Sequence, residues 1–219
     1  MRAEPIRIVL VDDHRILLES LAARIGSEPD LEVKSASSDP ERAIESVAVI
    51  RPDVLVLDID LPGTGPFSMV AAAAAVSKQT KTLFLSGFLS DVLIERALRL
   101  DASGYVLKGE PISFLLNAIR QVAAGEACFS REVAERLVYD PHQKRHVVKT
   151  ESGLSSLTNR QLEVLRLLAK GQSVKQVAQT MRLSEKSVDS HKYRLMNKLD
   201  IHDRVELARF AIREGLTTP

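Results

Sequence analysis

Four short runs of aliphatic and β-branched residues each deliver a polar side chain at their carboxyl end. Ile6–Val11 (IRIVLV) leads into Asp12 and Asp13, and Val54–Leu57 (VLVL) into Asp58. Lys81–Leu85 (KTLFL) leads into Ser86, and Gly104–Leu107 (GYVL) into Lys108. Segments with a 3.6-residue apolar period lie between these runs, so the strands should be parallel and joined by helices. In an open parallel α/β sheet, reactive side chains collect outside the carboxyl ends of the strands. Residues far apart in sequence therefore converge on one pocket holding three carboxylates, a hydroxyl and an ammonium.

That set suits phosphoryl chemistry. Clustered carboxylates repel one another unless a hard divalent cation joins them, and Mg²⁺ binds through a few carboxylates plus substrate phosphate. One carboxylate can then attack a phosphoryl group to give an acyl phosphate. A nearby lysine and hydroxyl can hold the oxygens of the group that arrives. Any one of these residues alone is an ordinary polar strand end; four coincident placements are not.

Across residues 5–124 the chain resembles the receiver domain of bacterial response regulators, through VDDH (Val11–His14), LDIDLPG (Leu57–Gly63), LSG (Leu85–Gly87) and GYVLK (Gly104–Lys108). The resemblance implies a flavodoxin-like, doubly wound α/β fold with five parallel strands. It implies Asp58 as phosphoacceptor, Asp12 and Asp13 as the acidic pair for Mg²⁺, and a further metal ligand from the backbone carbonyl of Asp60. Ser86 would be the switch hydroxyl, Tyr105 the rotating aromatic and Lys108 the phosphoryl contact. Leu61 replaces a common methionine, Pro66 a usual glycine, and Gly109 a frequent proline, so no cis peptide is expected there. The Asp60 side chain adds a fourth acid at the pocket mouth, either a solvated loop carboxylate or a group tuning water attack.

The longest uninterrupted apolar run, Met69–Val76, has eight residues, too few to cross a bilayer. The chain reaches its first strand almost at once, leaving no room for a signal peptide. A cytoplasmic protein with no membrane partner is expected. One cysteine, Cys128, precludes an internal disulfide and reads as a buried or idle thiol. The five histidines are scattered and suggest no Cys/His metal cluster. The net charge of +1 hides an asymmetry: residues 154–219 hold 12 Lys and Arg against 7 Asp and Glu, a surplus of five, leaving the remainder at −4. A basic C-terminal third beside an acidic N-terminal part suits a polyanion partner for the former.

The amphipathic stretch Ser113–Ala124 should close the first domain at Gly125. Residues 125–152 read as a linker containing one short helix, Arg131–Tyr139, then an aperiodic tether with a basic patch (Lys144, Arg145, His146). Residues 153–219 read as four helices. Thr158 and Gln161 form a capping box, and the helix places Leu162, Leu165, Leu168 and Ala169 on one face before Gly171. Ser173 caps a second helix with Val174, Val177, Ala178 and Met181 inward. Ser184 caps a third, with Val188, Leu195 and Leu199 inward, and a fourth spans about Asp203–Glu214. Two short helices joined by a tight turn make a helix-turn-helix. Asp189, Ser190, Tyr193, Arg194 and Asn197 fall on the outer side of the third helix, free to enter a major groove. Periodicity alone fits a plain four-helix bundle equally well.

Leu157–Leu216 resembles the LuxR-type DNA-binding domain of the NarL/FixJ response regulators, through the spacing of LT-x-R, AKG, LS-x-K-S-V, the helix histidine and KL. The resemblance implies Asp189, Ser190 and Tyr193 as base-edge readers. Lys175, Lys186, Lys192 and Lys198 are the candidate phosphate contacts. The expectation is a two-component transcription factor that takes phosphoryl from a sensor histidine kinase and acts on double-stranded DNA and the transcription machinery. It should turn over no external substrate and so not be an enzyme. The regulated step would be exposure of the recognition helix and homodimerisation, with the fourth helix, including Leu207 and Ala211, as dimer surface or as core. Two alternatives stay open: a phospho-independent DNA-binding protein whose receiver only dimerises, and a phosphate sink or protein-interaction switch whose basic domain binds no specific DNA site.

Overall fold

The computed structural model describes residues 4–61, 65–141, 145–149 and 153–217. The strands are β1 (Ile6–Val11), β2 (Leu31–Ser37), β3 (Val54–Asp58), β4 (Lys81–Ser86) and β5 (Gly104–Leu107). They form a parallel sheet in the order β2-β1-β3-β4-β5. Helices α1 (Arg15–Gly26), α2 (Pro40–Ile50), α3 (Pro66–Val76), α4 (Asp91–Arg99) and α5 (Ile112–Ala123) connect and cover the strands. Alternate residues along each strand divide between the two faces, as strand geometry requires. Ile8, Leu10, Val54, Val56, Leu83, Leu85 and Val106 pack under α1 and α5. Val9, Val11, Leu55, Leu57, Phe84 and Tyr105 pack under α2, α3 and α4. Burial on both faces is why these runs read as continuous apolar stretches.

Residues 125–149 depart from the expected linker. Cys128–Phe129 forms β6, a sixth parallel strand beside β5. The expected helix over Arg131–Tyr139 ends after one turn, as α6 (Arg131–Ala134). Leu137–Asp140 (β7) then pairs antiparallel with Arg145–Val148 (β8). Val138 and Tyr139 suit a strand, and buried Leu137 faces Val148 across the ladder. Arg136 binds Asp91 at the start of α4 (2.5 Å), and Lys149 Nζ donates to Glu135 O (2.6 Å). The expected solvated tether is therefore a hairpin clasping the receiver. Lys144 of the basic patch, and Pro62 and Gly63 of LDIDLPG, lie outside the described residues.

The C-terminal helices match expectation. They are α7 (Asn159–Ala169), α8 (Val174–Met181), α9 (Glu185–Leu199) and α10 (Arg204–Arg213). Thr158 with Gln161 and Ser173 with Gln176 form complete capping boxes, and Ser184 and Asp203 cap α9 and α10. Leu207 and Ala211 are wholly inside, so they are core and not dimer surface.

α7 was expected to bury one face, yet Val164, Arg166 and Leu167 are buried beside Leu162, Leu165 and Leu168. The receiver covers the second face. Arg96 of α4 reaches Leu157 O (2.5 Å), Leu154 O (3.4 Å) and the Asn159 side chain. Ser90 Oγ donates to Glu214 O (2.8 Å), and a side chain at Gly215 would strike Leu89 O. Arg182 pairs with Glu41. The C-terminal domain is seated on the receiver, which agrees with a folded-back arrangement.

Candidate functional site: the carboxylate pocket and the outer helix face

The parallel strands deliver Asp12, Asp58, Ser86 and Lys108 to one sheet edge. Asp12 and Asp58 are buried, while Asp13 is about one-third exposed. Lys108 Nζ lies 2.8 Å from Asp12 Oδ2 and 3.0 Å from Asp58 Oδ2. The first contact is a hydrogen bond; the second is an ion pair lacking hydrogen-bond alignment, so Asp58 Oδ2 is buried without a hydrogen-bond partner. Asp58 Oδ1 accepts from Asp60 N (3.0 Å). Burial pushes the Asp58 carboxyl up to about 6; Lys108 pulls the other way, and Asp12 adds to the rise. Burial works against the Lys108 ammonium, but Asp58 and Asp12 together hold it above the ordinary lysine value.

Asp12, Asp13, His14 and Asp58 can bring one ligand atom each within 4.8 Å of one another. The buried oxygen of Asp58, ion-paired with Lys108 but without an aligned hydrogen bond, together with two further carboxylates fits a hard divalent cation. His14 was missed at the sequence level. Its Nδ1 lies 2.9 Å from Asp13 Oδ1 and 3.2 Å from Asp12 Oδ1, and its place directly after the acid pair was the available signal.

Ser86 and Tyr105, which the resemblance implies as a switch pair, lie at the end of β4 and within β5. Ser86 Oγ donates to Phe88 O (2.8 Å) and accepts from Phe88 N (3.0 Å), so its hydroxyl engages the loop after β4. Tyr105 is already inside, 1% exposed, with its ring 6.4 Å from Phe84. Burial raises its pKa. Rotation of Tyr105 into space vacated by Ser86 is therefore not needed to bury it.

Asp60 is not a solvated loop carboxylate. Its side chain is 9% exposed and ion-pairs with Arg166 of α7, whose Nη1 also donates to Ile59 O (2.9 Å). Lys170 Nζ approaches the same carboxylate at 3.8 Å. Burial lowers the Arg166 pKa to about 10, against the pull of Asp58. Burial, then Arg166, lowers that of Lys170. Glu163, one turn before, sits 3.1 Å from where a side chain on Gly65 would begin. Burial raises its carboxyl to about 7, with Arg160 opposing at 3.1 Å. Nothing within either domain's own pattern foretold these contacts.

On the outer side of α9, Asp189, Ser190, Tyr193, Arg194 and Asn197 are all exposed, Tyr193 at 67%. Lys186 and, on α8, Lys175 are exposed nearby. Lys192 pairs with Asp189 (3.0 Å). Lys198 donates to Ser156 O (2.7 Å) and Gln161 Oε1 (3.2 Å), tying α9 to the start of α7. The receiver does not cover this face, contrary to the expected occlusion of the recognition helix.

Residues 8–120 match the family described as response regulator receiver domain, and residues 155–211 match bacterial regulatory proteins, luxR family. The chain is similar to the response regulator UvrY of Escherichia coli strain K12, with 29% identity over 96% of this chain and 95% of that one. It is 31% identical to the oxygen regulatory protein NreC of Staphylococcus haemolyticus, over 96% of this chain and 98% of NreC. A solved structure of the RcsB response regulator from Salmonella typhimurium, studied for conformational dynamism in DNA interaction, superposes with a TM-score of 0.73 at 21% identity, covering 97% of this chain and 99% of that one.

Proposed function

Because this chain belongs to the response regulators that join a receiver domain to a LuxR-type DNA-binding domain, we propose that it is a phosphorylation-controlled transcriptional regulator with Asp58 as its phosphoacceptor. The observation that carries this reading is the convergence of Asp12, Asp13, Asp58, Ser86 and Lys108 on one sheet edge. Asp12, Asp13, Asp58 and the carbonyl of Asp60 would hold Mg²⁺, which when bound offsets the negative charge of carboxylates and phosphoryl oxygens. An ionised Asp58 oxygen attacks the phosphorus of a phosphohistidine on a sensor kinase. The new O–P bond replaces the P–N bond, and the imidazole leaves with the electron pair. Lys108 stays charged and steadies the transferred oxygens, while Ser86 turns from Phe88 toward the new group. The chain turns over no external substrate and acts in the cytoplasm.

In the output domain, Asp189, Ser190, Tyr193, Arg194 and Asn197 read the major groove. Lys175, Lys186 and Lys192 contact phosphates and fix register, and Lys198 joins them only by giving up its bonds to Ser156 O and Gln161 Oε1. Since the outer face of α9 is free in the docked arrangement, the controlled step is the pairing of two copies on DNA rather than uncovering of that face. Select a DNA site for the full chain, then titrate it with and without beryllium trifluoride, following the dimer fraction by sedimentation. Higher affinity and more dimer with the mimic are expected, both lost in Asp58→Asn. Equal affinity with and without it would contradict the reading.

A further inference from the structure

The Arg166 guanidinium belongs to the DNA-binding domain yet sits on the phosphoacceptor segment, bonded to Ile59 O at 2.9 Å and paired with the Asp60 carboxylate. It is almost fully buried there, and Lys170 follows one turn later at 3.8 Å. With the domains docked, among the described residues four carboxylates (Asp12, Asp13, Asp58, Asp60) face three cations (Lys108, Arg166, Lys170), a formal balance of one negative charge. Removing the C-terminal domain leaves Lys108 alone against the same four acids, a balance of three negative charges. A divalent cation is attracted more strongly to the second arrangement. The guanidinium also holds Ile59 O and the Asp60 side chain, immediately around the carbonyl that the metal reading requires.

We infer that Arg166 is the resident cation of the pocket, so that docking of the DNA-binding domain and divalent-metal binding oppose each other. The inference rests on the metal reading of the pocket given above. A ligand that prefers one of two arrangements shifts the balance toward it, and the coupling is reciprocal. Metal therefore favours release of α7, and anything that releases α7 tightens metal. Arg96 supplies an independent handle. It anchors the docked domain through Leu154 O, Leu157 O and Asn159 without touching the pocket.

The test uses the full chain, Mg²⁺ as the only ligand, calorimetry for affinity and small-angle scattering for compactness. Arg166→Met, which keeps an unbranched side chain of similar length, should bind Mg²⁺ about fivefold or more tightly than wild type, the scale of ordinary coupling between sites. Arg96→Ala should shift affinity in the same direction, although the pocket keeps every charge. Mg²⁺ should expand the wild-type chain and leave Arg166→Met, already open, unchanged. Equal Mg²⁺ affinity in the three proteins overturns the inference. So does tighter binding in Arg166→Met with a wild-type value in Arg96→Ala, because docking would then play no part. If none of the three binds Mg²⁺, or if binding survives Asp13→Ala, the metal reading itself fails; binding that Asp13→Ala abolishes upholds that reading and leaves the relative affinities to judge the inference.

Discussion

Replacing Asp58 by Asn in metal-free buffer should stabilise the protein. The carboxyl rises from 3.8 to about 6 on folding, chiefly through burial. A folded-state pKa above the unfolded one means that the native state favours the neutral form. The ionised group therefore destabilises the fold above about pH 6, and the penalty fades as the pH falls toward 4. Two pKa units correspond to about 3 kcal/mol. The amide offsets part of this, because Asn keeps the bond from Asp60 N but turns a donor toward Lys108, at roughly 1–2 kcal/mol, the lower part of the range for an unmatched buried polar group, since Lys108 is partly exposed to water. Lys108 keeps Asp12 at 2.8 Å, so it is not stranded. The expected net gain is about 1–2 kcal/mol, or roughly 2–8 °C in midpoint for a chain of this size. Thermal melts with a chelator at about pH 8, 6 and 4.5 should show the gain shrinking with pH. An Asn variant that melts at or below wild type at the highest pH would refute the reasoning, as would a gain that ignores pH.

Gly104→Ala should destabilise the receiver by about 3 kcal/mol, the upper range for overpacking. Its Cβ would fall 2.4 Å from Leu83 Cδ1 and 2.7 Å from the carbonyl of Cys128, and the carbonyl cannot give way; urea denaturation measures it. DNA affinity should fall steeply with salt, given the five surplus positive charges of residues 154–219, because neutralised phosphates release counterions. Lys192→Ala should weaken binding to all sequences alike, whereas Ser190→Ala and Tyr193→Ala should change which sequence is preferred, as read on a panel of duplexes.

The pocket was legible because strand-end residues leave a local mark: an apolar run followed by a polar side chain, four times over. The C-terminal helices were legible for a similar reason, since Thr158, Ser173, Ser184 and Asp203 announce each start. β2 carries no pocket residue, and with an edge position its burial pattern is weak. β7 and β8 were hidden because REVAERL has a helical period of its own, and only pairing across the hairpin makes the following residues a strand. Interdomain contacts leave no period at all. Arg166 and Asp60 are more than a hundred positions apart, and each looks like an ordinary surface charge until α7 is laid on the loop after β3. Burial of both faces of α7 did have a trace, in the near-continuous apolar run of LEVLRLLA.

Phosphoryl transfer to Asp58 is tested most directly by intact-mass measurement after incubation with a small-molecule phosphodonor and Mg²⁺. Wild type should gain a single phosphoryl group, carried by the peptide containing Asp58, and should gain none in the presence of a chelator. Labelling that persists in Asp58→Asn, or that proceeds unchanged when the metal is chelated, would contradict Asp58 as the metal-dependent acceptor.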